Sequence, residues 1–256
     1  MGNKKLFDRV TLRHIEHQRL LYVLAFLFSV EFIFLAINPH DRADWALENV
    51  LVVIFIGVLA ISYRRFPLSR ISYVLIFIFL SLHEIGSHYT YALVPYDSFT
   101  QSLMGFSLND AIGWERNHYD RMIHFSYGLL LAYPVREIYC RLADVEGFWG
   151  YFFPLDLVMA SSMIFELFEW GAATYFGGDL GIAYLGTQGD VWDAHKDMAL
   201  ASIGALLAMI ITAIINYYIQ HDFSEEWSRS LKIKHRQPLG EDEIERLLKN
   251  RKSEGT

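Results

Sequence analysis

Cysteine, proline and charge are all scarce in this sequence, and each shortage excludes a class of protein. The single cysteine, Cys140, excludes a disulfide scaffold and a cysteine-ligated zinc site. Charged residues make up 20% of the 256 residues, against about 25% in ordinary soluble domains. The net charge of −7, with no basic domain, argues against nucleic acid as a partner. The six prolines and the lack of low-complexity stretches exclude a fibrous protein.

What the sequence does contain is apolar and aromatic residues, which make up 53% and 16% of the chain, with a mean hydropathy of +0.22. This composition excludes intrinsic disorder as the main state. Because a helix needs about 20 apolar residues to cross a bilayer, six segments predict membrane spans. They lie at about residues 20–38, 49–63, 71–93, 122–139, 154–175 and 198–219. We therefore predict an all-α membrane protein, a bundle of six transmembrane helices.

The lysines and arginines indicate how this bundle is oriented. If the six spans alternate in direction, 18 of the 22 basic residues fall on the side that holds both termini. Cytoplasmic segments carry this excess of positive charge. We therefore predict that both termini are cytoplasmic. The predicted organisation is a cytoplasmic segment over residues 1–19, a transmembrane domain over 20–220 and a cytoplasmic tail over 221–256.

Ionisable residues recur in the outer halves of the predicted spans, where they are costly and mark functional sites. With a rise of 1.5 Å per residue, the third to sixth spans place histidines and carboxylates at one shared depth. Residues three or four apart, such as Asp120 and His124, also share a helix face. The candidates on these four spans are His83, Glu84, His88, Asp120, Arg121, His124, Glu166, Glu169, Asp190, Asp193 and Asp197, and Glu31 lies in the outer half of the first span.

So many carboxylates in an apolar bundle need neutralising partners, and Arg116, Arg121 and Lys196 are too few. We therefore predict a bound divalent metal ion, with zinc as the first choice and iron or manganese as alternatives. Simpler interpretations stay open: Asp190 can cap the sixth helix, and Glu169 can face interfacial water. The predicted metal ligands are His83, His88, Asp120, His124, Asp193 and Asp197, the predicted catalytic bases are Glu166 and Glu169, and Glu31, Glu84, Arg121 and Asp190 are further candidates.

Four motifs carry a family resemblance: Leu82-His83-Glu84, the stretch 117–125, Phe165–Trp170 and Gln188–Met198. With them, the chain from residue 19 to 220 resembles the YjdF-like family of bacterial inner-membrane proteins. The resemblance implies a multi-pass inner-membrane location and carries no activity with it. Residues 193–205 are also loosely similar to VanZ-like proteins. Membrane ceramidase-like hydrolases place histidines and acids around zinc at one depth too, but with different spacing.

These observations predict a metal-dependent hydrolase or transferase that acts on a lipid or lipid-linked substrate at the outer face. A metal-activated water would attack an ester, amide or phosphoester bond. Membrane lipid is thus both the surroundings and the expected substrate. An ion or proton transporter that uses the same acids is one alternative, and a non-catalytic scaffold or metal sensor is another. The substrate, the oligomeric state and the role of the 177–189 loop as a lid stay open.

Overall fold

The computed structural model describes residues 2–178, 181, 187–234 and 239–254. Ten helices lie wholly within these residues, and no strand does, which confirms the all-α prediction. In chain order they are α1 (Gly2–Leu35), α2 (Arg42–Ser62), α3 (Arg70–His88), α4 (Tyr96–Met104), α5 (Leu108–Ile112), α6 (Tyr119–Leu142), α7 (Trp149–Phe176), α8 (Asp193–Ile219), α9 (Phe223–Ser230) and α10 (Leu239–Glu254). Most of the 177–189 loop lies outside the described residues.

Among the described helices, five are long and apolar enough to cross a membrane: α2, α3, α7, α8 and the His17–Leu35 part of α1. The predicted fourth span falls in α6, whose 24 residues extend about 36 Å. α6 is less apolar than the other five because it lies inside the bundle, where it packs against α3, α7 and α8. It therefore buries His124 and Ser126 together with its apolar side chains.

The closest helix contact in the bundle joins α6 to α8. A Cβ atom at Gly128 would lie 1.9 Å from the backbone oxygen of Ala201, and one at Gly204 would lie 2.2 Å from that of Phe125. The two backbones touch there, as small residues allow in membrane helices. Ala201 and Ala205 are fully buried in the same contact. This contact fixes how the functional residues of the two helices face each other.

The helix α2 begins seven residues earlier than the predicted span, at Arg42 rather than at residue 49. Its N-cap is Asp41, whose carboxylate accepts hydrogen bonds from the backbone N–H groups of Ala43, at 2.8 Å, and Asp44, at 3.0 Å. The extra two turns carry Asp44 and Glu48, which are 1% and 5% exposed. These two acids therefore lie inside the bundle.

The helix α3 ends at His88, five residues before the end of the predicted span. The chain turns back at Thr90 and Tyr91, which adopt positive φ angles of 52° and 51°. The Tyr91 ring packs so closely on Gly86 that a Cβ atom there would lie 2.4 Å from it. The turn thus brings a tyrosine hydroxyl back into the bundle.

Candidate functional site

The centre of the site is a group of three side chains on α6 and α8. Asp120, His124 and Asp197 each offer a ligand atom, and these atoms all lie within 4.8 Å of one another. The contact of Gly128 with Ala201 lies one turn further along both helices, and it holds His124 and Asp197 across from each other. His124 is 7% exposed and Asp197 2%. One nitrogen and two carboxylates at this spacing match the ligand types of zinc, iron and manganese.

Glu166 of α7 adds a third carboxylate to this group. Its Oε1 atom lies 3.7 Å from His124 Nε2, and Asp120 Oδ1 lies 3.6 Å from the same nitrogen. Glu169 follows one turn along α7 and shares a helix face with Glu166. Within the described part of the chain, Glu166 Oε1 and Asp197 Oδ1 are buried without a hydrogen-bond partner. Buried polar atoms without partners call for an explanation, and an ion held by Asp120, His124 and Asp197 would supply one for Asp197 Oδ1.

Asp190 and Asp193 lie above this group in a network of ion pairs. Arg116 and Arg121 both donate to Asp193 Oδ1, and Arg121 also donates to Asp190 Oδ2. Lys196 Nζ donates to the same Asp190 oxygen at 2.5 Å. The Lys196 ammonium, the Trp192 backbone N–H and the Arg121 guanidinium hold the pKa of Asp190 well below its usual range. These contacts fasten the segment before α8 to the start of α6.

Asp193 was predicted as a metal ligand, but the structure gives Asp193 Oδ1 two arginine partners and leaves it out of the three-residue group. Arg121, a further candidate, is one of those two partners. The alternative that Asp190 caps the sixth helix also needs correction, because the N-cap of α8 is Trp192. Asp190 instead accepts from the Trp192 backbone N–H at 3.0 Å. Both acids form ion pairs with basic side chains.

His83 belongs to a second polar group next to the first. The Tyr91 hydroxyl lies 2.6 Å from His83 Nδ1 and donates to Glu48 Oε2 at 3.4 Å. Among the described residues, His83 Nε2 has no hydrogen-bond partner. His83, Tyr91 and Glu48 line the same cavity as Asp120 and His124. The predicted convergence therefore includes His83, although this histidine is not in the three-residue group.

Three further candidates lie away from the three-residue group. His88 Nδ1 lies 2.7 Å from the backbone oxygen of Leu35, and its ring contacts Tyr89. Glu31 accepts a hydrogen bond of 2.6 Å from the Ser81 hydroxyl. Glu84 is fully buried, and neither of its carboxyl oxygens has a partner in the described segments. The structure thus assigns His88 and Glu31 to contacts between α1 and α3.

Asp44, Glu48 and Tyr91 were not predicted as site residues, and Arg116 was predicted only as a countercharge. A signal for the two acids was present, because Asp44 and Glu48 are four apart, as are Asp120 and His124. Tyr91 gave no such signal, since it reaches the site only through the turn after α3.

Comparisons with known proteins agree on one family. The family model described as "Predicted membrane protein (DUF2238)" matches residues 20–217. The chain is also 36% identical over 195 residues to the inner membrane protein YjdF of Escherichia coli (strain K12), an alignment that covers 76% of this chain and 89% of that protein. No solved structure matches the chain.

Proposed function

Because the chain belongs to the DUF2238 family of predicted membrane proteins, we propose that it is a multi-pass protein of the bacterial inner membrane with six spans. The span that adds to the five apolar helices is α6, the fourth in chain order, which is long enough to cross and packs among three of them. Six spans put both termini on the same side. The excess of lysine and arginine in the termini and alternate loops makes that side the cytoplasm.

This topology is tested by reporter fusions. A periplasmic reporter in the loop between α4 and α5 is expected to be active, and one at either terminus inactive. Five spans would instead place the two termini on opposite sides. An active periplasmic reporter at the C-terminus would therefore overturn the topology and the outward position of the site.

The function that the site supports best is that of a metal-dependent enzyme acting on a lipid or lipid-linked substrate at the outer face. The observation that carries this proposal is the convergence of Asp120, His124 and Asp197 within 4.8 Å, together with the unpartnered oxygen of Asp197. Zinc is the first choice for the ion, with iron and manganese as alternatives. The metal would activate a water molecule for attack on an ester, amide or phosphoester bond.

The catalytic bases in this proposal are Glu166 and Glu169. Glu166 Oε1 lies 3.7 Å from His124 Nε2, so its carboxylate could accept a proton from a water molecule that the metal would hold beside this histidine. Glu169, one turn further along α7, lines the adjoining cavity, where it would pass that proton toward a leaving group. Arg116 and Arg121 hold the segment over the site through Asp193.

The test measures metal content and turnover in the same purified samples. Elemental mass spectrometry is expected to find about one divalent ion per chain, because three or four protein ligands together bind a single ion. Asp197→Asn is expected to lose the ion. Glu166→Gln is expected to keep the ion and lose hydrolysis of phosphatidylethanolamine in proteoliposomes by about a hundredfold, the usual effect of a general base. Wild-type protein without any bound metal would refute the proposal of a metal-dependent enzyme.

One observation favours an ion or proton transporter instead. Glu84 is fully buried with both oxygens unpartnered in the part of the chain that the structure describes, as in carboxylates that carry protons across membranes. A transporter would show proton flux in proteoliposomes that Glu84→Gln abolishes. A metal sensor or scaffold would bind the ion and show neither flux nor turnover.

A further inference from the structure

A groove of about 500 Å³ leads away from the polar site, a volume in the usual range of ligand pockets. It runs between α2, α3, α6 and α7. Its outer end is formed by the side chains of Asp44, Glu48, His83, Tyr91, Asp120, His124 and Glu169. The groove and the candidate metal site therefore share Asp120 and His124, so a molecule that fills the groove reaches the site.

Beyond its outer end the groove is long and mostly apolar. Along α6 it extends from Asp120 to Ile138, which is about 27 Å at 1.5 Å per residue. This length is close to the roughly 30 Å thickness of a bilayer's hydrocarbon core. The walls along this length include Phe55, Phe79, Leu80, Leu131 and Val135. Such a groove matches an extended hydrocarbon chain lying parallel to the helices.

The groove also opens sideways toward the surrounding lipid. Val58 of α2 and Phe168 of α7 both line it, yet they are 57% and 60% exposed at the bundle surface. A chain can therefore enter between α2 and α7 without leaving the hydrocarbon region. This opening distinguishes the groove from a closed internal cavity, which only a small molecule arriving through the water phase would reach.

The charged residues at the outer end of the groove determine which kind of lipid headgroup can bind there. Asp44, Glu48, Asp120 and Glu169 line the groove, and no lysine or arginine is among its described lining residues. The nearby Arg116 and Arg121 are engaged with Asp190 and Asp193. When a metal ion holds Asp120, the carboxyl groups of Asp44 and Glu48 are left facing the cavity, where no lysine or arginine of the described segments lines the groove beside them. A positively charged headgroup complements them, and an anionic one is repelled.

We propose that this groove binds a membrane lipid with an amine-bearing headgroup, with its hydrocarbon chain along α6 and its ammonium group at Asp44 and Glu48. The inference rests on the proposed function, for which it names the substrate class. In this position the bonds between headgroup and chain lie beside Asp120 and His124. The lipid's own geometry therefore presents its ester or phosphoester groups to the candidate metal site.

The first test blocks the groove with a matched pair of variants. Val58→Trp places a large ring in the groove, whereas Val53→Trp places the same ring on another face of α2, where Val53 is 60% exposed and does not line the groove. Delipidated proteins are titrated with phosphatidylethanolamine and followed by native mass spectrometry. Val58→Trp is expected to bind about tenfold more weakly than Val53→Trp, because excluding about two methylene groups costs that much affinity. Equal binding by the two variants would overturn the proposal.

The second test examines the headgroup, and it stands even if Val58→Trp fails to fold. Wild-type protein is expected to bind phosphatidylethanolamine about tenfold more tightly than phosphatidylglycerol with the same acyl chains, an ordinary effect of one charge pair. Glu48→Gln is expected to remove most of this preference. The control is Asp156→Asn, which is exposed on α7 outside the groove and should keep the preference. Equal binding of the two lipids by wild-type protein would overturn the proposal.

The lipid inference and the proposed function can fail separately. Asp197 does not line the groove, so Asp197→Asn is expected to lose the metal and keep its preference for phosphatidylethanolamine. If wild-type protein prefers this lipid but holds no metal, the groove inference stands and the enzyme fails. If it holds the metal but shows no preference between the two lipids, the inference falls and the metal site stands.

Discussion

Replacement of Asp197 by Asn or of His124 by Ala is expected to lower the apparent unfolding temperature in detergent by about 10 °C. Removing one partner from a buried charged network costs about 3–5 kcal/mol, and each kcal/mol corresponds to about 2–4 °C for a domain of about this size. In Asp197→Asn, Asp120 and Glu166 would both stay beside His124, and their charges would no longer be offset by the ion.

A chelator is expected to reproduce this effect on the wild-type protein, since a bound metal stabilises the folded state by mass action. It should then have little further effect on either variant. The control is Glu146→Gln, because Glu146 is 57% exposed and pairs with the exposed Arg229, a kind of contact that contributes little. A protein whose acids are simply protonated would behave differently. Asp197→Asn would be as stable as wild type, and the chelator would have no effect, which would refute the metal site.

The sequence predicted the helices well because apolar length is a local property of the chain. The spans in α1, α3, α7 and α8 follow from runs of apolar residues, and five candidate spans are present among the described helices. The central helix was harder to place from hydropathy, because α6 packs against protein on several sides. Polar residues such as Ser126 and His124 can be buried there without contact with lipid.

The shared depth and spacing of Asp120, His124 and Asp197 predicted that they converge, and their ligand atoms do lie together. The depth of a residue does not show which way its side chain points around the helix, which is why His88 was wrongly grouped with the other predicted ligands. His88 lies at a suitable height but faces the end of α1, where it meets the backbone of Leu35. The rotation of α3 depends on its contacts with α1 and α6, and these contacts are not local in sequence.

Two other features could not be predicted because they depend on backbone geometry outside the apolar runs. Asp44 and Glu48 entered the site only because Asp41 starts α2 two turns earlier than hydropathy indicated. Tyr91 reaches His83 only through the positive φ angles of the turn that follows α3. In both cases a capping or turn conformation decides which side chains face the cavity.

Gly128 and Gly204 are expected to be the least tolerant positions of the bundle. Even alanine at Gly204 would place a Cβ atom 2.2 Å from the Phe125 backbone oxygen, and at Gly128 the distance to that of Ala201 would be 1.9 Å. A backbone atom cannot move aside as a flexible side chain can, so α6 and α8 must separate. We expect a loss of about 3 kcal/mol or more from each substitution, seen as a lower folded yield on fluorescence-detected size-exclusion chromatography.

The separation of α6 from α8 would also disturb the metal site, because His124 and Asp197 lie one turn from the contact of Gly128 with Ala201. Gly128→Ala is therefore expected to lose bound metal even in the fraction that still folds. The control is Gly57→Ala on α2, where a Cβ atom would meet nothing within 4 Å. That change should be neutral or stabilising by about 0.5–1 kcal/mol, since alanine is the better helix former. Gly128→Ala protein with wild-type yield and metal content would show that the site does not depend on close contact between α6 and α8.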